Sequence, residues 1–355
     1  MTRPARVIFN PAAVRGNLEL IRRRAPGRRV LAIVKADAYG HGLIRVARAL
    51  READAFGVAS IEEAVRLRDA GITQPIVLLE GPFEASELAE IGVHGLESVV
   101  HNHEQLEWFA RQERVTPLWI KVDTGMHRLG FTLEEVPAVV ARLAARGRCL
   151  RLMTHFASAH LHGDASVEAQ LARFAALVES HASEVCLANS SAILAWPATH
   201  GDWVRPGLAL YGVSPFDATP GSELGLTPAM TVTSALIAVK SVRAGGGVGY
   251  GKAYTCARDT RIGVVAFGYA DGYPRQAATG TPVLVDGVCT QVLGEASMDM
   301  MTVDLTPLPH ARVGDPVVLW GDGLPVERIA RCAGTIPYEL LCRMRMRAHF
   351  VELDA

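Results

Sequence analysis

Apolar and polar positions along the first two-thirds of the chain fall into alternating blocks. Short runs rich in valine, isoleucine and leucine occur at VLAIVK (30–35), AFGVAS (55–60), IVLLE (76–80), LESVV (96–100), LWIKV (118–122), LRLMTHF (150–156), VCLA (185–188) and LALYG (208–212). Between them lie segments with apolar residues at three- and four-residue spacing, among them HEQLEWFARQ, LEEVPAVVARLAARG and VEAQLARFAALVES. In SIEEAVRLRDAG, Ser60 with Glu63 three residues on predicts a capping box, and Gly71 predicts the stop. The rhythm changes near GLTPAMTVTSA (225–235). Beyond it β-branched runs dominate, separated by Gly, Pro and Asp turns; VDGV (285–288) signals a hairpin, and a single helix is expected, at PVERIARCAG.

Unbroken apolar strands that each precede a helix imply a parallel sheet covered on both faces. Eight such units in a little over 200 residues predict an α/β fold, a (β/α)8 TIM barrel, followed by a mainly β domain. An open doubly wound sheet is the alternative at this point. The expected division is 11–227 for the barrel and 228–355 for the β-domain, with residues 1–10 as a strand joining the latter.

Composition narrows the function classes. The 355 residues are 49% hydrophobic with a formal net charge of -1. That excludes a basic nucleic-acid surface; the short basic stretches RRRAPGRR and RMRMR read as solvated faces. No apolar run approaches the roughly 18 residues of a membrane span. The start MTRPARVIFN lacks a signal-peptide apolar region, and the six cysteines form no CxxC pair, so a cytoplasmic protein with reduced thiols is expected.

The chemistry gathers after the predicted strands. The first ends at Lys35; Asp123 and TGMHRLG, with Arg128, follow the fifth; the sixth reaches His155; Asn189, Ser190 and Ser191 follow the seventh; Arg205 and Gly207 precede the eighth. In a barrel these strand ends form the active rim. A lysine there serves as a charge, a base or an imine-forming nucleophile, the last when low dielectric and nearby cations free its amine. A purely structural or phosphate-pairing charge is the competing reading. ANSSA and RPGLALYG add Ser190, backbone N–H groups and a helix beginning near Ser191, a setting that suits phosphate. Lysine plus phosphate cradle suggests pyridoxal phosphate (PLP), which periodicity alone does not establish.

The motifs VKADAYGHG, KVDTGMHRLG, THFA, ANSSA, VRPGLALYG, VGYG, GYADGYPR, SMDM and TIPYELLC, in this order, resemble the alanine racemase family of fold-type III PLP enzymes over essentially the whole chain. The resemblance implies PLP-dependent interconversion of L- and D-alanine by two bases. Lys35 would hold PLP and act on the D-side. Tyr250, reaching the neighbouring subunit's site in a homodimer, would act on the L-side. Arg205 would meet the pyridine nitrogen, supported by His155. Tyr39, Asn189, Ser190, Gly207, Leu208 and Tyr338 would complete cofactor binding. Arg128, Tyr269, Met298 and Asp299 would meet the substrate, and Lys121 matches a lysine that is often carbamylated to position Arg128. No metal, nucleic acid or membrane is implied; His101-x-His103 and His160-x-His162 lack a third ligand, and Tyr211 reads as core.

Two segments depart from the family pattern. Glu295 stands where arginine is more common, and His160 and His162 where an acidic residue is common. A serine or broad-specificity racemase is the near alternative. A fold-III decarboxylase would need a catalytic cysteine motif, and none of Cys256, Cys289, Cys332 and Cys342 sits in one. A PLP carrier would be a lone barrel, and a non-enzymatic scaffold gives no reason for a polar rim.

Overall fold

A strand buried on both faces has no polar side to present, so its sequence is apolar throughout rather than alternating. A computed structural model describes residues 3–112, 116–145, 149–181, 184–344 and 347–354. After β1 (Arg6–Phe9), eight strands close into an all-parallel barrel: β2 (Arg29–Ile33), β3 (Ala55–Val58), β4 (Ile76–Leu78), β5 (Glu97–Val100), β6 (Leu118–Lys121), β7 (Leu150–Met153), β8 (Glu184–Asn189) and β9 (Trp203–Arg205). Val30, Phe56, Val77, Val99, Ile120 and Val204 are fully buried within it. The barrel expectation holds, and seven of its strands overlap the apolar runs.

The eighth strand does not fall where the pattern put it. LALYG is a 3₁₀ helix, Leu208–Tyr211, and the closing strand is β9, whose Trp203 and Val204 pair with Arg29 and Val30. Pro206 supplies no ladder donor, and Gly207 leaves the extended region, so the ladder stops before the apolar run begins. That run is apolar because it is buried on all sides: Tyr211 donates to the Ile33 carbonyl at 2.8 Å and Asn17 to the Leu210 carbonyl at 3.0 Å. Periodicity does not separate a buried strand from a short buried helix.

The predicted capping box also resolves differently. Ser60 makes no side-chain cap to the helix Ile61–Asp69. Glu63 instead accepts from Ala59 N (2.9 Å) and from Ala36 N (2.7 Å) on the adjacent loop.

The remaining strands are β10 (Met230–Val242), β11 (Gly247–Val248), β12 (Tyr254–Thr255), β13 (Thr260–Val265), β14 (Pro282–Val285), β15 (Val288–Leu293), β16 (Met301–Asp304), β17 (Pro316–Trp320) and β18 (His349–Glu352). Eight strands form one sheet, in the order β13-β16-β15-β14-β17-β10-β1-β18, antiparallel except where β1 meets β18. The hairpin turns at Asp286–Gly287 as VDGV predicts. Among the described residues two α-helices, not one, accompany this sheet: Val326–Cys332 and Pro337–Cys342. The second is six residues long, too short to show a period, and begins at a proline suited to the first helical position. Of the RMRMR stretch, residues 345–346 lie outside the described residues. No helix among the described residues is long and apolar enough to cross a membrane.

Candidate active site

The chain leaves β2 and at once turns left-handed. Ala36, Asp37, Ala38 and Tyr39 take φ of 56, 52, 53 and 52°. For residues bearing a Cβ this costs roughly 1–2 kcal/mol each. The turn sets Lys35 at the barrel rim, its Nζ 3.7 Å from Glu80 at the end of β4. Tyr39 lies buried, stacked on Tyr211 (4.8 Å between ring centres) and tilted against Tyr338 (5.9 Å). Burial raises the Tyr39 pKa, so the phenol stays protonated and is a hydrogen-bond donor.

Across the rim, Arg205 ends β9 and is almost wholly buried. Its guanidinium donates to the carbonyls of Thr154 (2.8 Å) and Leu187 (3.3 Å), to Cys186 Sγ (3.0 Å) and to His155 Nδ1 (3.2 Å). A guanidinium only donates, so His155 Nδ1 accepts and the ring's proton sits on Nε2. Burial, then the cations Arg205, Lys121, Arg128 and Lys35, hold His155 far below its usual pKa, hence neutral. Lys121, last in β6, is buried too. Desolvation, then Arg205, Arg128 and Lys35, bring its pKa down to about 7, against a smaller opposing effect of Glu80.

Arg128 is carried on the loop after β6. Asp123 organises that loop: its Oδ1 accepts from Gly125 N (2.9 Å), Met126 N (3.1 Å) and His127 N (3.0 Å). Behind the loop runs a buried polar chain. Gln170 donates to Thr124 Oγ1 (2.9 Å) and to the His155 carbonyl (3.0 Å), and Thr124 meets Thr154 at 2.8 Å. One glutamine thus ties the Arg128 loop to the His155 segment.

The other end of the site is small and rich in donors. Ser190 Oγ accepts from Gly207 N (2.9 Å) and Ala209 N (3.2 Å), which leaves its own O–H to donate elsewhere. Leu208 begins the 3₁₀ helix, where backbone N–H groups lack intrahelical partners. A Cβ at position 207 would lie 2.6 Å from the Tyr39 hydroxyl, so only glycine leaves that space open. Asn189 caps the helix Ser190–Ala195, its Oδ1 accepting from Ala192 N at 3.1 Å. Asn189, Leu208, His155 and Tyr338 line a cavity of about 620 Å³. Anionic phosphate fits these donors, and the buried Arg205 fits a ring nitrogen that accepts; the residues present match PLP.

Of the second domain's predicted site residues, Tyr338 lines this cavity, whereas Tyr250, Tyr269, Met298 and Asp299 do not. Tyr250 is 83% exposed and Met298 53%. Tyr269 and Met298 sit on two loops joined by Tyr269 N to the Ser297 carbonyl and Ala270 N to the Met298 carbonyl, both 3.0 Å. Asp299 is anchored within its own chain: Arg347 pairs with its carboxylate, and Arg3 donates to its carbonyl (2.8 Å) while also pairing with buried Asp271. Of the departures, Glu295 pairs with Arg275 at 2.8 Å in the open, His160 lines the cavity, and His162 stacks on Phe216. His101 bonds the Glu80 carbonyl and His103 bonds Glu135.

Sequence reading missed Glu63, His41, Glu80, Gln170 and Thr124. Glu63 carried a signal as half of a capping box, and His41 and Thr124 lie inside the motifs VKADAYGHG and KVDTGMHRLG; the partners of Glu80 and Gln170 are distant in sequence.

Two family models cover nearly all of the chain: the alanine racemase N-terminal domain over residues 9–215 and the C-terminal domain over 229–352. The chain belongs to the alanine racemase family. An alanine racemase of Aeromonas hydrophila is 48% identical over 349 residues, 97% of this chain and 98% of that protein. The biosynthetic alanine racemase structure from Pseudomonas aeruginosa superposes with a TM-score of 0.97 at 46% identity, over 99% of this chain and 100% of that one. A Bartonella henselae alanine racemase, described with covalently bound pyridoxal phosphate, is 28% identical with a TM-score of 0.88, over 99% of both chains. The isomerase class expected from the motifs therefore stands.

Proposed function

We propose that the protein racemises alanine with PLP, using Lys35 and Tyr250 as bases on opposite faces of the substrate carbon. The carrying observation is that Lys35 and a buried Arg205, held by neutral His155 and main-chain carbonyls, lie close enough together to act on both His155 and Lys121. PLP, when bound, supplies the electron sink that makes the α-hydrogen acidic. Lys35 would hold it. Tyr39, Ser190, Leu208 N–H and Tyr338 would bind its phosphate. Arg205 would donate to the ring nitrogen; a guanidinium has no site to take up a proton, so it would leave that nitrogen unprotonated and weaken the sink, which would limit side reactions.

Lys35 moves the proton on the D-side and Tyr250 on the L-side, so the substrate need not turn over. Arg128 orients the substrate carboxylate, and Lys121, as a carbamate, orients Arg128. Tyr269, Met298 and Asp299 complete the pocket from the other subunit. The exposure of Tyr250 and Met298, the latter on a loop bonded to that of Tyr269, supports that sharing in a homodimer. The barrel is proposed to span 11–227 and the β-domain 228–355. Six unpaired cysteines support a cytoplasmic setting.

Tyr250→Phe tests the two-base reading. L-to-D turnover is expected to fall about 100-fold or more, while deuterium from solvent still enters D-alanine through Lys35. Near-native turnover in that variant removes Tyr250 as a base.

A further inference from the structure

The left-handed turn after Lys35 persists in a sparsely populated conformation, which requires surroundings that over-determine it. Two side chains outside the catalytic set do so. Glu63 bridges: one oxygen accepts from Ala36 N at 2.7 Å, the first amide of the turn, and the other from Ala59 N at 2.9 Å, just past β3. The turn's start is thereby tied to the neighbouring barrel strand. At the other end, His41 Nδ1 lies 3.0 Å from the Ala38 carbonyl and 2.9 Å from the Tyr39 carbonyl. Both oxygens only accept, so Nδ1 carries the proton.

The His41 ring is buried, its centre 4.5 Å from that of Tyr211, which in turn stacks on Tyr39. Its Nε2 is buried with no partner among the described residues. Burial brings its pKa down to about 4, so the ring is neutral. A phenyl ring would fill the same space without an orphan nitrogen; what histidine adds is the Nδ1–H donor. Gly40 completes the wedge, because a Cβ there would strike the Leu341 carbonyl of the helix that carries Tyr338.

We propose that His41 and Glu63 are positioning residues that lock the left-handed turn from both ends and so aim the Lys35 amine and the Tyr39 hydroxyl into one pocket. The proposal rests on the reading of Lys35 and Tyr39 as the PLP-binding pair. Neither residue touches substrate; each acts through the backbone of residues 36–39.

Three variants test it: His41→Phe keeps a ring without a donor, His41→Asn puts an amide N–H at the same bond count, and Glu63→Gln loses one of its two acceptors. Hydrogen exchange over residues 35–43, PLP affinity, and kcat and KM for alanine are measured on each. His41→Phe is expected to speed exchange and to weaken PLP binding and kcat by about 10- to 100-fold, with little change in KM. His41→Asn is expected to recover to within about threefold, a rescue that loss of bulk stability would not show. Glu63→Gln should weaken PLP binding about 10-fold and speed exchange at Ala36. Wild-type exchange and affinity in His41→Phe, or no rescue by asparagine, overturns the His41 half. Wild-type values in Glu63→Gln overturn the other, and Glu63→Gln carries the test should His41→Phe not fold. Exchange is read without cofactor or substrate. Failure of the wild type to racemise alanine would therefore count against the proposed reaction, while faster exchange in the variants would still uphold the lock.

Discussion

Lys121 shows how much one residue's chemistry depends on its surroundings. Nothing in LWIKV distinguishes it from a lysine that ends a strand in water. In the fold it lies among Arg205, Arg128 and Lys35, away from solvent, and its pKa falls from 10.5 to about 7. Near neutrality a large share of it is therefore free amine, the form that attacks carbon dioxide. The nitrogen–carbon bond would form as one C=O π bond of carbon dioxide opens, the nitrogen would release one proton to solvent, and the neutral amine would become an anion beside Arg128. Protein equilibrated with 13C-labelled carbon dioxide is expected to show a carbamate resonance that grows as pH rises through about 7 and is missing from Lys121→Ala. A spectrum identical in the two proteins would leave Lys121 an uncharged spacer. At this scale the sequence pointed to Lys35 and His155 because each lies at the end of an apolar run, and to Arg205 as a residue preceding one; in the fold Arg205 ends β9. The sequence did not reveal Glu63 or Gln170, whose partners are brought close only by folding, nor His41, whose carbonyl partners are local but meet its ring only because the turn is left-handed.

Among the elements, the barrel strands also build a floor opposite the active rim. Trp119 Nε1 donates to Glu97 at 2.6 Å, and Arg151 bridges Glu97 (2.8 Å) and Glu184 (2.6 Å). Arg29 and Trp203 also meet Glu184, at 2.6 and 3.0 Å. Desolvation pushes the Glu184 pKa up, but the bonds from Trp203, Arg29 and Arg151 outweigh it and bring it to about 2. A depressed folded-state pKa means that the stabilisation is complete above the unfolded value of 4.5 and is lost as pH falls toward 2. Glu184→Gln is therefore expected to be less stable than wild type by about 2 kcal/mol at neutral pH, a gap that closes near pH 2. Urea unfolding across that range reads it, and a gap independent of pH would show that Glu184 contributes packing rather than charge. Seven barrel strands were legible because burial on both faces leaves a continuous apolar signature. The eighth was not, since the 3₁₀ helix at Leu208–Tyr211 is equally buried and carries the same signature.

The whole molecule sets Lys35 on the rim of a barrel and an exposed Tyr250 on a β-domain. If the sites are shared, two inactive variants restore each other. Lys35→Ala and Tyr250→Phe homodimers should both be nearly dead. After subunit exchange, half the dimers are mixed, each with one intact site, so about a quarter of wild-type activity is expected. No recovery, with exchange confirmed by mass, would place both bases in one chain. The sequence by itself determined the parallel barrel, the β-rich second domain, the family and the lysine at the rim. Apolar runs, turn residues and motif order are local properties, and they survive in one dimension. Only the tertiary structure decided where the barrel closes, that Glu63 reaches across to Ala36 rather than capping its own helix, and that Lys121 loses most of its preference for the proton. Each of those depends on which groups from distant parts of the chain share a water-poor space, and linear order does not encode that distance.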